Sequence, residues 1–237
     1  MKKILLLLLL PLFSTSQSNF NLQLLGSYQW SFSEGSDIWG WVDSNGNEFA
    51  LVGLNDGFSV VDVTNPMNLN EMFYIPDLNS TWRDIKTWGN YAYVTTEADA
   101  GLLIVDLSDM SGNTYWHKTN FTNPNGQSTE FTAAHNIYID EHGIAYIFGA
   151  SSNSGSNPSN GAIFLDVNVD PINPHYLGEW DQNYIHDGMV RGDTMYAGCI
   201  YAGELFIVDV SNKLNPQTLG SKSTPSNFTH NAWVSDD

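Results

Sequence analysis

The sequence predicts an all-β fold built from repeated units. Nearly the same short apolar strand, ending in or near an aspartate, occurs at residues 57–65, 101–109, 161–169 and 204–212. Turn-forming Asn, Asp, Gly and Pro residues separate these strands from others of similar length. No segment places its apolar residues at the spacing of a long helix. Short strands at regular intervals are typical of a β-propeller, in which each blade is a four-stranded sheet.

The strands of each unit differ in character. Second strands are expected at residues 48–54, 91–97, 144–150 and 194–200. First strands begin with a polar pair and should lie nearest the propeller axis; they are expected at residues 36–41, 83–88, 135–140, 186–191 and 230–235. Fourth strands follow a turn rich in Pro and Asn. The sequence therefore predicts four complete blades and the first strand of a fifth.

The N-terminal segment MKKILLLLLLPLFSTSQS, residues 1–18, has a basic start, an apolar run and small residues at its end. This pattern predicts a secretory signal peptide, and its apolar run is too short to span a bilayer. No later segment is apolar enough to predict a transmembrane helix. We therefore expect an exported chain with a propeller over residues 19–237, secreted or displayed on the outer cell surface.

The first residues after this segment match a fourth strand. Leu25 and Gly26 fall where Leu177 and Gly178 fall in a later unit. Residues 22–30 are therefore expected to form the outer strand of the blade that closes the ring. The second and third strands of that blade have no counterpart in the sequence, so the propeller is expected to be incomplete at its C-terminal end.

The composition restricts the class of partner. Eight Lys and Arg residues face 26 Asp and Glu residues, which gives a formal net charge of -18. Such a chain repels phosphate backbones and anionic lipid surfaces, so nucleic-acid binding is not expected. Cations, sugars and basic partners remain compatible with this charge.

The repeated sequence motifs SVVD, LIVD and FIVD resemble those of the LVIVD-repeat proteins. DIWGWVDSNGNEFALVGLNDGFSVVDVTNP (37–66) and STWRDIKTWGNYAYVTTEA (80–98) are similar to the choice-of-anchor B family in particular. This resemblance implies an exported bacterial β-propeller, usually longer, followed by a variable C-terminal segment for surface anchoring. It implies no reaction.

Polar residues should gather at one mouth of the central channel, because loops entering first strands share a face with loops joining second and third strands. Candidate ligand-binding residues there are Arg83, Asp84, Glu97, His135, Asn136, His186, Asp187, His230 and Asn231. The imidazoles of His135, His186 and His230 are candidate ligands for a divalent cation, Ca²⁺ or Zn²⁺. The alternative is that each polar pair hydrogen-bonds the neighbouring blade, which repetition along the chain favours.

Two other sets of residues have a structural interpretation. Asp62, Asp106, Asp166 and Asp209 close equivalent strands and should accept backbone N–H groups of the following turns. Tryptophans such as Trp82, Trp180 and Trp233 should pack between blades, with stacking on sugar rings as the alternative.

The function that fits these observations is an exported or cell-surface binding module for a protein or a glycan, without catalysis. The alternative is a metal-dependent hydrolase or lyase with a His and Asp site at the channel mouth. A third possibility is a structural module that spaces other domains.

Overall fold

The protein is described here by a computed structural model, which covers residues 22–152 and 159–235. The predicted signal peptide, residues 1–18, lies outside the described residues. Within the described ranges the chain is almost entirely β-structure, and its one helix is the 3-10 turn Pro225–Asn227. No helix in these ranges is long and apolar enough to cross a membrane.

Four antiparallel sheets, each with four strands in chain order, form blades 1 to 4. Blade 1 contains β1 (Gly35–Val42), β2 (Glu48–Leu54), β3 (Gly57–Asp62) and β4 (Asn70–Pro76). Blade 2 contains β5 (Arg83–Trp88), β6 (Tyr91–Thr96), β7 (Leu102–Asp106) and β8 (Tyr115–Lys118). A two-stranded ribbon follows, made of β9 (Asn120–Thr122) and β10 (Ser128–Glu130). Blade 3 contains β11 (Asn136–Ile139), β12 (Ile144–Phe148), β13 (Ala162–Asp166) and β14 (His175–Trp180). Blade 4 contains β15 (Asp187–Arg191), β16 (Thr194–Cys199), β17 (Glu204–Asp209) and β18 (Gln217–Ser223).

The aspartate that ends each third strand caps the following turn, as predicted. Asp62 Oδ1 accepts the Thr64 N–H at 2.9 Å, and Asp106 Oδ1 accepts the Ser108 N–H at 2.9 Å. The equivalent acceptors in blades 3 and 4 are Asp166, for the Asn168 N–H, and Asp209, for the Ser211 N–H. These carboxylates satisfy backbone donors that the end of the strand leaves unpaired.

The hydrophobic cores lie between the blades. Side chains of a β-strand alternate between its two faces, so a strand buried on both faces reads as a continuous apolar run. In β7, Leu103 and Val105 enter the core shared with blade 1, whereas Leu102 and Ile104 enter the core shared with blade 3. A third core joins blades 3 and 4. Blade stacking places β1, β5, β11 and β15 side by side around the axis.

Residues 22–30 take the position predicted for an outer strand, although they form no ladder. The Tyr28 hydroxyl donates to Glu71 in β4 at 3.4 Å. Its counterpart Trp180, in β14 of blade 3, donates from Nε1 to Thr218 in β18 of blade 4 at 3.1 Å. The segment therefore contacts blade 1 in the way that the outer strand of blade 3 contacts blade 4.

The predicted first strand of a fifth unit, residues 230–235, also lies in its expected place but is not a strand. Arg191 donates to the carbonyl groups of Val234 and Ser235, and the Val234 N–H points to the sulfur of Met189 at 3.0 Å. A first strand makes its ladder with the second strand of its own unit, and no such strand adjoins this segment within the described residues.

Substitution of three glycines by alanine tests whether the N-terminal segment, residues 22–30, docks as an outer strand. A Cβ on Gly178 would lie 1.9 Å from the Lys213 carbonyl oxygen, at a φ of +151°. A Cβ on Gly26 would lie 1.9 Å from the Pro66 carbonyl oxygen, whereas one on Gly220 meets nothing within 4 Å. We expect Gly178→Ala to lower the free energy of unfolding by about 2–4 kcal/mol and Gly26→Ala by about 1–3 kcal/mol. Gly220→Ala, the control, should change it by less than about 0.5 kcal/mol. Urea unfolding measures all three, and equal values for Gly26→Ala and Gly220→Ala would argue against docking.

Candidate functional site

Three imidazole rings lie against one another at one mouth of the channel. His135 and His186 immediately precede β11 and β15, and His230 occupies the same position in the fifth unit. The ring centroids of His135 and His186 are 3.8 Å apart, and those of His186 and His230 are 3.9 Å apart. The rings of each pair are tilted by 51°. We call these three side chains the imidazole column.

Carboxylates contact every ring of the imidazole column. Glu97 Oε1 lies 2.7 Å from Nδ1 of His135. Asp187 Oδ2 lies 2.9 Å from Nδ1 of His186 and 3.2 Å from Nδ1 of His230. Asp187 is buried, so one carboxylate oxygen is shared by two imidazoles with little access to water. Such contacts fix the orientation of the rings.

Exposed aromatic side chains surround the imidazole column. The Trp82 ring lies 5.9 Å from the ring of His135, and the Phe228 ring lies 6.1 Å from that of His230. Tyr184 lies 6.4 Å from His186 and 4.9 Å from Tyr201, again between ring centroids. Trp82, Tyr201 and Phe228 are 53, 84 and 62 % exposed. We call Trp82, Tyr184, Tyr201 and Phe228 the aromatic rim.

A second polar layer lies deeper in the channel, around a cavity of about 190 Å³. Asp84 accepts hydrogen bonds from the Asn136 amide and from Lys86 Nζ, the latter at 2.8 Å. Asp37 and Asn231 line the same cavity. Burial raises the pKa of Asp84 to about 6; the Lys86 charge opposes this shift, and the Asp37 and Asp187 charges reinforce it.

Arg83 serves the blade-to-blade contact rather than the cavity. Its side chain is 0 % exposed, and it donates from Nε to the Leu54 carbonyl at 2.7 Å, from Nη1 to Asp77 at 2.7 Å and from Nη2 to the Leu78 carbonyl. Burial opposes ionisation of Asp77, but hydrogen bonds from His117 and Leu78 and the Arg83 charge hold its pKa below its usual range.

The structure thus brings most of the predicted candidates together, in two layers. Glu97, His135, His186, Asp187 and His230 form the outer layer, and Asp84, Asn136 and Asn231 the inner one. Sequence reasoning missed Asp37 and three members of the aromatic rim: Tyr184, Tyr201 and Phe228. Packing between blades, expected for the tryptophans, holds for buried Trp180. Trp82 and Trp233 are exposed, and each contacts one ring of another unit, His135 and Tyr138 respectively. The polar pair at the start of each first strand was the signal that would have found Asp37.

Comparison with known proteins supports the repeat interpretation. The LVIVD repeat profile matches residues 45–76, 81–114 and 190–224, which lie in blades 1, 2 and 4. The solved β-propeller domain of Cps50 (Swd1) from Myceliophteria thermophila has a TM-score of 0.50 at 12 % identity, covering 76 % of this chain and 56 % of that one. The chain is a repeat β-propeller. A comparison with curated proteins found no match.

Two other solved structures share this propeller fold. A putative 6-phosphogluconolactonase from Bacteroides fragilis has a TM-score of 0.56 at 10 % identity, covering 81 % of this chain and 55 % of that one. PorZ, a surface component of the type-IX secretion system of Porphyromonas gingivalis, has a TM-score of 0.54 at 14 % identity, covering 82 % and 29 %. The propeller chain spans about half of the lactonase structure. Identities this low show the fold alone.

Removal of the buried Arg83 charge is expected to weaken the contact between blades 1 and 2 and so to destabilise the fold. Arg83→Met leaves the buried Asp77 carboxylate without its ion-pair partner, which costs about 3–5 kcal/mol. Lys222→Met, at an exposed lysine in β18, is the control and should cost less than about 1 kcal/mol. Urea unfolding at pH 7 measures both. Equal losses for the two variants would contradict a structural role for Arg83.

Asp84 predicts a specific pH dependence of stability. Its pKa is about 6 in the folded protein, against about 3.9 in an unfolded chain, so the folded state holds this proton more tightly. Its contribution to the free energy of unfolding is therefore fully present below about pH 4 and is lost as the pH rises through about 6. Urea unfolding of the wild type and Asp84→Asn between pH 4 and 7 should give a difference of about 2–3 kcal/mol across this range. Parallel pH profiles would contradict the raised pKa.

Proposed function

We propose that this repeat β-propeller is an exported or cell-surface binding module of the choice-of-anchor B kind, whose ligand sits on the channel mouth. The N-terminal pattern of a secretory signal and the LVIVD repeats support the location. The likeness to PorZ, itself a surface component of a secretion system, agrees with it. The ligand is a protein segment or a glycan, and the chemistry of the mouth favours a protein segment that carries basic side chains.

The observation that carries this proposal is the continuous patch formed by the aromatic rim and the imidazole column. Large exposed aromatic side chains grouped on one surface mark interaction sites, and Trp and Tyr supply much of the binding energy where they occur. In this patch each ring lies within 6.4 Å of the next, from Trp82 through the histidines to Phe228 and Tyr201.

Charge decides between ligand classes. Glu97 and Asp187 lie within the patch, and the whole chain has a formal net charge of -18. Lys and Arg side chains are attracted both by carboxylates and by the faces of Trp and Tyr rings. A basic protein segment can therefore interact with both the carboxylates and the aromatic faces of the patch. A neutral glycan would use the aromatic faces alone.

Binding to arrayed peptides tests this assignment. We expect Lys- and Arg-containing peptides to bind, and their affinity to fall about tenfold as the salt concentration rises from 50 to 500 mM. Glu-containing peptides and neutral oligosaccharides serve as comparison probes. Binding of oligosaccharides without salt dependence would assign the site to a glycan instead.

Trp82→Ala and Tyr201→Ala test the location of the site. Each should weaken binding of the basic peptides about tenfold or more, because each removes an exposed ring from the rim. Tyr115→Ala in β8 removes a partly exposed tyrosine outside the rim and should leave binding unchanged. Loss of binding in Tyr115→Ala alone would place the ligand elsewhere.

A second candidate function is metal-assisted hydrolysis or a lyase reaction at the same mouth. One ligand atom each from His135, His186 and Asp187 lies within 4.8 Å of the other two, which favours this function. Imidazole and carboxylate ligands hold the zinc ions that activate water. Turnover of chromogenic esters and lactones that is lost in His186→Ala would support this candidate over a binding role.

A further inference from the structure

The imidazole column brings together metal-ligating atoms from blade 3, blade 4 and the segment that follows blade 4. One ligand atom each from His135, His186 and Asp187 lies within 4.8 Å of the other two. Asp187 is buried, and the two imidazole side chains are mostly buried. His230, which is 57 % exposed, adjoins them through Asp187. Imidazole and carboxylate groups grouped at this spacing suit a small divalent cation.

The spacing of these atoms matches that of ligands on one ion. Zn–N and Zn–O bonds are about 2.0–2.2 Å long, so ligand atoms on a tetrahedral ion are roughly 3.3 Å apart. Asp187 Oδ2 lies 2.9 Å from Nδ1 of His186 and 3.2 Å from Nδ1 of His230. The ring centroids of His135 and His186 are 3.8 Å apart, and one ligand atom of each ring lies within 4.8 Å of the other.

A carboxylate also orients one ring of the imidazole column. Glu97 Oε1 lies 2.7 Å from Nδ1 of His135, which leaves Nε2 of that ring available to bind a metal ion. Carboxylates that contact ligating histidines in this way are a regular feature of metal sites.

We propose that His135, His186 and Asp187 hold one divalent transition-metal ion of the Zn²⁺ class at the channel mouth. Glu97 is the positioning residue for His135. Imidazole nitrogen selects Zn²⁺ and its neighbours over Ca²⁺ and Mg²⁺, which prefer all-oxygen ligands. This inference goes beyond the proposed binding function, and the second candidate function rests on it. It is tested with the metal alone, so its failure would leave peptide binding untouched.

Calorimetric titration of the full chain with Zn²⁺ is the direct test. The protein must carry no oligohistidine tag and must first be dialysed against a chelator. We expect one Zn²⁺ per chain and a rise in the unfolding temperature with Zn²⁺ but not with Ca²⁺. Replacement by Co²⁺ should give the intense visible absorption of a tetrahedral site with nitrogen and oxygen ligands.

Variants locate the ion. His135→Asn, His186→Asn and Asp187→Asn should each weaken Zn²⁺ binding more than about 100-fold, and Glu97→Gln about 10- to 100-fold. His142→Ala, at an exposed histidine in the turn between β11 and β12, is the control and should bind as the wild type does. Unfolding temperatures measured with chelator show whether each variant is folded before its affinity is compared.

The proposal is overturned if no Zn²⁺ binds, if folded His186→Asn binds Zn²⁺ as the wild type does, or if binding is lost in His142→Ala. A preference for Ca²⁺ over Zn²⁺ would also overturn it, because the ligands would then be the carboxylates rather than the imidazoles.

Discussion

Each blade has two apolar faces that must be covered, and the rest of the structure depends on this requirement. A four-stranded sheet with buried residues on both faces is stable only when a neighbour packs on each, so blades stack through continuous cores. This stacking sets the first strands side by side. Any residue that begins a first strand is thereby brought to the axis, which is why imidazoles from separate repeats come within 3.8 Å of one another. The candidate site is a consequence of blade packing.

Repetition made the fold and the position of the mouth predictable. The strand ending in Asp62 recurs in each blade with the same turn contact, so one pattern fixes four sheets. The same equivalence placed His135 and His186 at one mouth. Tyr201 and Phe228 could not be found in this way, because they lie in connections that differ from unit to unit. Their contacts depend on how the chain crosses between strands, which no repeated spacing records.

Equivalent positions do not imply equivalent roles, and Arg83 shows why. It occupies the position that His135 and His186 occupy in their units, yet its long side chain turns away from the cavity and reaches Leu54 and Asp77 of the preceding blade. A charged guanidinium with three acceptors in reach is most stable where all of them are satisfied. The acceptors lie at the end of β2 and after β4, so only the folded arrangement of two blades reveals them.

The charges at the channel mouth link the proposed binding of a basic peptide to the proposed binding of Zn²⁺. Asp37, Asp84 and Asp187 share the channel, and their mutual repulsion contributes to the raised pKa of Asp84. A divalent cation at Asp187 would offset this repulsion. A bound Zn²⁺ would equally weaken the attraction of the mouth for a basic peptide. Because coupling between two ligands is reciprocal, a basic segment on the aromatic rim would lower the affinity for Zn²⁺ by the same factor. The two proposals together therefore predict that a basic peptide and a divalent cation compete for the channel mouth.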